Sequence, residues 1–142
     1  MERTLTLYNR VEEITRLAEF IGQLCEQLAL DATLTFNLNL VLEEAVTNVV
    51  MYAYPQDEEH TLTLKAWTEE GGVLAFELRD QGTPFDPISQ APDVDVTQTA
   101  DERPIGGLGI FLIQQIMDHV SYQYEDGSNV LTMKKNLAGH AS

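Results

Sequence analysis

Three short stretches of this chain carry side chains whose types and spacing suit chemistry. The first is Glu43-Glu44-Ala45-Val46-Thr47-Asn48. Glu44 and Asn48 stand four residues apart, so a helix would project both from one face. Their neighbours Val41, Leu42, Ala45, Val46, Val49 and Val50 are apolar, and a carboxylate or carboxamide buried among them costs free energy unless it finds a partner. A Mg²⁺–nucleotide would be such a partner, because the Asn48 oxygen is a suitable hard ligand and the Glu44 carboxylate can accept a proton. A solvated helix face accounts for the same pair, since polar residues at this spacing are common on helices.

The second stretch is Asp80-Gln81-Gly82-Thr83-Pro84-Phe85. Asp80 continues the register of Leu74, Phe76 and Leu78, so on a strand it points to the same side as those apolar residues. An acid there needs a donor, and the exocyclic amine of adenine is one candidate. Gly82 would then let the base approach the backbone closely. Alternatively Asp80 opens a turn, as Asp and Gly commonly do. The third stretch is Gly106-Gly107-Leu108-Gly109, placed before the apolar run Ile110-Phe111-Leu112-Ile113. Glycines at a helix entrance expose backbone N–H groups to which the helix dipole adds positive potential, a setting suited to phosphate. No Gly-Lys-Ser/Thr follows, which excludes a Walker loop, and the spacing is not that of a Rossmann fingerprint. A tight turn explains the glycines taken alone. Together the three stretches supply a metal ligand, a base-reading acid and a phosphate cradle in one chain.

The elements that must position them can be read from periodicity. Thr4–Tyr8 alternates like a strand. Val11, Ile14, Leu17, Ala18, Ile21, Leu24, Cys25 and Leu28 recur at helical spacing and give one apolar stripe. A second helix is expected from about Leu34 to Ala53, stopping before Pro55. Strands Thr61–Trp67 and Val73–Arg79 flank the hairpin loop Thr68-Glu69-Glu70-Gly71-Gly72. Residues 88–104 form a long polar stretch of the kind that often serves as a functional lid. Ile105–His119 reads as a third helix, and strands Val120–Glu125 and Val130–Lys135 pair around Asp126-Gly127-Ser128-Asn129. The fold class is therefore α+β: a two-layer α/β sandwich with a mixed, mostly antiparallel sheet and helices on one face.

The whole chain bounds these readings. Its 142 residues fit one domain, 1–142. No apolar run reaches the roughly 20 residues that cross a bilayer, the N-terminus is unlike a secretory signal, and Cys25 is the lone cysteine. A cytoplasmic location is the expectation. Cys25 lies in the apolar helical pattern and reads as core. The 23 acidic against eight basic residues give a net charge of −15, which repels nucleic acid and anionic membranes and favours a basic protein partner.

Glu44-x-x-x-Asn48, Asp80-x-Gly82-x-Pro84-Phe85 and Gly106-Gly107-Leu108-Gly109 resemble the N, G1 and G2 boxes of the GHKL ATPase/kinase superfamily, whose ATP-binding fold is the Bergerat fold. The tract Glu43–Ala53 running into Tyr54-Pro55, with the segment Gly106–Val120, is similar to the anti-sigma-factor serine/threonine kinases. The resemblance extends over about Leu5 to Leu137. It implies that Asn48 coordinates Mg²⁺, that Glu44 is the general base for a substrate serine, that Asp80 binds adenine and Gly82 lines the base pocket, and that Gly106, Gly107 and Gly109 border the phosphates of ATP beneath the lid. Arg103, just before these glycines, is either a phosphate contact or an exposed lid charge. The implied partners are a sigma factor and a STAS-type anti-anti-sigma antagonist, and the resemblance also suggests a homodimer, formed through the first helix or the sheet edge. Tyr52 stands where many superfamily members carry His, and the acidic lid offers no lysine to the γ-phosphate. His60, His119 and His140 fall in no motif and read as structural or surface residues. The alternatives are a module that holds ATP without transferring phosphate and the detached ATP-binding domain of a sensor histidine kinase. Against the latter, the Val11–Leu28 helix contains no histidine.

Overall fold

The computed structural model describes residues 1–55, 58–84, 86 and 107–138. The stretch expected to be a lid, 88–104, lies outside them, as do Arg103, Gly106 and His140. The element order is β1 (Glu2–Tyr8), a 3-10 turn (Val11–Glu13), α1 (Ile14–Gln27), α2 (Ala32–Tyr52), β2 (Thr61–Glu69), β3 (Val73–Asp80), α3 (Gly107–Ile116), β4 (His119–Glu125) and β5 (Ser128–Asn136).

The five strands form one sheet in the order β1-β2-β3-β5-β4. All four pairings are antiparallel, so among the described strands the sheet is more uniform than the mixed one expected. Strand alternation sends Leu62, Leu64 and Ala66 of β2, Leu74, Phe76 and Leu78 of β3, and Leu131 and Met133 of β5 to one side, where all are buried. The helices cover that side. From α1 come Leu17, Ile21, Leu24 and Cys25, so most of the expected apolar stripe is spent on the chain's own core, with Val11 and Ala18 left exposed, and Cys25 is a core residue. From α2 come Leu34, Leu38, Val41, Leu42, Ala45, Val46 and Val50. The opposite side of the sheet carries a polar surface that includes Lys134 paired with Glu69 at 3.1 Å and Arg79 paired with Glu77 at 3.2 Å. Among the described residues no helix is long and apolar enough to cross a membrane.

Local chemistry sets the boundaries. Asp31 caps α2 by accepting from the Leu34 N–H at 2.7 Å. Helix α3 closes at Ile116, three residues short of the expected end, because the Asp118 N–H already bonds the Lys134 carbonyl at 2.9 Å and starts the β4–β5 ladder. The last hairpin turns on two residues, Asp126 and Gly127, both at positive φ (51° and 78°). Ser128 and Asn129, expected in the turn, are therefore the first residues of β5.

Phe76 is fully buried in a central strand, and Phe76→Ala is expected to cost about 3–5 kcal/mol of stability. Gln123→Ala, on the exposed part of edge strand β4, should stay within about ±0.5 kcal/mol. Chemical denaturation of the two variants side by side checks the contrast.

Candidate functional site

Register brings the site together. Asp80 is the last residue of β3 and lies directly opposite Asn129 of β5. Both side chains point to the helix-covered face, each with 5% of its surface exposed. The Asn129 Nδ2 donates to Asp80 Oδ1 at 2.9 Å and to the Thr83 carbonyl at 3.0 Å. Gly82 N–H donates to the same Asp80 Oδ1 at 2.9 Å. Asp80 thus sits in the core register and also opens the turn that follows it. Neither hydrogen bond reaches Asp80 Oδ2, and no described residue supplies one. A buried carboxylate oxygen without a donor is costly, and it marks a place for a ligand donor.

That place exists. A cavity opens against Asp80 between the layers, with Asn48 and Val49 of α2 on one wall, Leu78 and Asn129 on the sheet side, and Ile110 and Ile113 of α3 closing it. It is apolar apart from a few convergent polar groups, the usual make-up of a small-molecule pocket. Asn48 is half-buried and lines it. Glu44, one turn earlier on α2, is half-buried as well but does not belong to the lining. No cluster of three or more His, Cys, Asp or Glu side chains that could hold a metal occurs among the described residues. The Asn48 carboxamide and the open oxygen of Asp80 fit a Mg²⁺–nucleotide: a hard oxygen ligand on one wall, an acceptor for an amine on another.

Gly82 is crowded by protein. A Cβ built on it would lie 2.3 Å from the Ala53 carbonyl oxygen, and the Thr83 N–H bonds that same carbonyl at 2.8 Å. The glycine is thus required where the end of α2 meets the turn after β3. Gly107 opens α3, and Gly109 lies in its first turn. Tyr52 is on α2 with 37% of its surface exposed.

Three residues at the site escaped the sequence reading. Asn129, expected in a turn, lies on the inner face with Leu131 and Met133, as a two-residue hairpin loop at Asp126-Gly127 requires. Tyr122, on the neighbouring strand β4, donates its hydroxyl to Asn129 Oδ1. Tyr54 accepts the Gln81 N–H at 2.7 Å and stacks on His60, ring centroids 4.2 Å apart and 11° from parallel. No sequence signal distinguishes these tyrosines from the others. His60 keeps 38% of its side chain exposed while stacked on Tyr54.

Residues 7–135 match the histidine kinase-like ATPase domain family. The chain is 34% identical over 101 residues to a protein named serine-protein kinase RsbW from Listeria monocytogenes, a match covering 69% of this chain and 64% of that relative. It is 32% identical over 109 residues to the serine/threonine-protein kinase BtrW of Bordetella bronchiseptica, covering 75% and 74%. Over 141 residues it is 28% identical to an anti-sigma F factor of Heyndrickxia coagulans, covering 97% and 92%. The chain therefore spans just under two thirds of the length of the Listeria relative. Among solved structures it resembles the RsbU and RsbW domains of a Mycobacterium tuberculosis protein, with a TM-score of 0.70 at 12% identity over 96% of this chain and 32% of that one. It also resembles the histidine kinase domain of a blue-light-activated kinase from Erythrobacter litoralis, with a TM-score of 0.54 at 13% identity over 90% of this chain and 61% of that one. At such identities the likeness is one of fold.

Burial pushes the Asp80 carboxyl above the usual carboxylate range, against the lowering pull of Asn129 and of the Gly82 N–H. In the unfolded chain the group returns to its ordinary value of about 3.9. Between the two values the folded chain binds more protons than the unfolded one, so the contribution of Asp80 to stability falls as pH rises through that window. Asparagine does not titrate. The melting temperature of Asp80→Asn relative to the unsubstituted chain is therefore expected to rise as pH goes from about 4 to 7. A pH-independent difference in calorimetric melting would show that Asp80 titrates alike in the folded and unfolded chains.

Proposed function

The chain belongs to the histidine kinase-like ATPase domain family, and from that premise we propose that it is an anti-sigma-type protein serine/threonine kinase of the cytoplasm. It binds ATP–Mg²⁺, sequesters a sigma factor, and phosphorylates a serine on a STAS-type anti-anti-sigma antagonist. The observation that carries the nucleotide reading is the buried Asp80 carboxylate, which offers an unmatched oxygen to a mostly apolar cavity. The names of the relatives support the kinase and anti-sigma parts.

In this reading Asp80 accepts the adenine amine, Gly82 keeps the adjoining turn tight beside the base, and Asn48 presents its oxygen to Mg²⁺. Bound Mg²⁺ supplies charge neutralisation at the phosphates. Gly106, Gly107 and Gly109 border the phosphates with backbone N–H groups at the α3 entrance, with Arg103 close by in sequence. The substrate serine Oγ attacks the γ-phosphorus, the bond from that phosphorus to the bridging oxygen breaks, ADP leaves, and the serine proton passes to Glu44. The position of Glu44 suits the role: it is on the helix of Asn48, about 6 Å along the axis, and outside the cavity lining, where a hydroxyl on another protein can reach it.

Phosphoryl-transfer assays separate these roles. Asp80→Asn should lose ATP affinity sharply, because the amide gives up charge-assisted acceptance from the amine. Glu44→Gln should keep ATP affinity and lose about 10²–10⁴ in single-turnover transfer to the antagonist. Wild-type transfer by Glu44→Gln would remove Glu44 as the base. A wild-type chain that binds ATP but labels no antagonist would instead be an ATP-holding regulatory module.

A homodimer is part of the proposal. Since α1 spends most of its apolar stripe on the chain's own core, the pairing surface falls to the sheet edges, β1 and β4. Light scattering at high micromolar concentration should give twice the 15.9 kDa of one chain, and a monomer mass would exclude the dimer.

A further inference from the structure

Base recognition needs more than a carboxylate near a cavity, because one particular oxygen has to face the ligand. The torsion that turns a carboxylate about its last bond is broad and nearly two-fold, so an unclamped aspartate presents no fixed acceptor. We propose that Asn129, steadied by Tyr122, is a positioning residue that clamps one oxygen of Asp80 and so presents the other to the 6-amino group of a purine nucleotide. The inference rests on the nucleotide reading of the cavity.

Four contacts carry it. Asn129 and Asp80 are direct cross-strand partners, which places their side chains on the same face about as close as a sheet allows. The Asn129 Nδ2 and the Gly82 N–H both donate to Asp80 Oδ1, each at 2.9 Å, so the clamp acts on one oxygen alone. The same Nδ2 bonds the Thr83 carbonyl at 3.0 Å, tying the turn that follows Asp80 to β5. The Tyr122 hydroxyl donates to Asn129 Oδ1, which fixes the carboxamide so that its NH₂ end faces the acid. Asn129 is itself buried and lines the cavity, so it reaches Asp80 inside the pocket.

An isosteric pair of variants tests the clamp. Valine and threonine have nearly the same shape, and only threonine keeps a donor. Equilibrium binding is measured for the unsubstituted chain, Asn129→Val and Asn129→Thr with two probes: ATP, and purine riboside 5′-triphosphate, which lacks the 6-amino group. The unsubstituted chain should prefer ATP by about tenfold or more, the scale of a hydrogen bond to a charged group. Asn129→Val should lose most of that preference while its affinity for the amine-free probe changes less than about threefold, and Asn129→Thr should restore much of it. Equal losses for both probes, or a threonine variant no better than valine, would overturn the inference, because a packing role predicts those results. An unsubstituted chain that binds both probes equally would instead overturn the adenine role of Asp80, and the clamp with it. Should Asn129→Val fail to fold, Tyr122→Phe carries the same test from the half-buried edge strand: a loss confined to ATP supports the clamp, and an unchanged preference for ATP counts against it.

Discussion

A carboxylate turned into the covered face of a sheet must be given donors, and in this chain the pairing of β3 with β5 provides them. Because Asp80 is opposite Asn129, one buried carboxamide satisfies one carboxylate oxygen and holds the following turn. Slipping that register by a single residue would turn Asn129 to the outer face and bring Leu131 and Met133 with it. The hydrophobic pattern that fixes the sheet register is thus also what keeps the buried acid partnered. Fold and site share a single constraint, and neither can be altered alone.

The topology explains why the cavity lies where it does. Strand β5 runs between β3 and β4, so the chain leaves β3 at Asp80, passes through α3 and β4, and returns as β5 beside the point it left. Ile110 and Ile113 in the first part of α3 therefore lie near the end of the sheet that carries Asp80, and α2 approaches that end with Ala53 against Gly82. Three segments distant in sequence meet around one space. Among the described residues lining it there is no lysine or arginine, and the chain as a whole carries −15. An anionic ligand is consequently not drawn in by net charge. Its phosphates would depend on a cation and on backbone donors, and the base end on shape and on Asp80.

How much of this was legible in the sequence follows from which forces are local. The helices and strands were readable because apolar periodicity reports the buried face directly, and Asp80 was placed inward by the same alternation that placed Phe76 and Leu78. The pairing of Glu44 with Asn48 on one helix needed only their spacing. Asn129 was missed because its importance comes from a partner 49 residues away, and no local pattern encodes a cross-strand contact. Tyr54 is silent in the sequence for the same reason, its partner Gln81 being 27 residues away, and Tyr122 meets Asn129 across a hairpin whose register no local pattern reports. The crowding at Gly82 was anticipated as room for a ligand, whereas the close neighbour is the Ala53 carbonyl. A glycine signals a close approach without saying what approaches.

The energetics of Asp80 complete the argument. Two hydrogen bonds to one oxygen lower its pKa, yet burial wins and the net shift is upward. The surroundings of Asp80 therefore favour its charged form less than water does. Asparagine at this position could still accept from Asn129 and from the Gly82 N–H through its remaining oxygen, without the charge. Packing and stability alone give no reason for an acid here. What asparagine cannot reproduce is a second, charged acceptor aimed at the cavity. A strained, uncompensated group at the wall of a pocket is the kind of local cost that sites of recognition carry, and in the proposed reading a ligand amine offsets it. Binding then does two things at once: it satisfies the open oxygen, and it pulls the Asp80 pKa back down by favouring the charged form. In that reading ligand affinity and the protonation of Asp80 are linked.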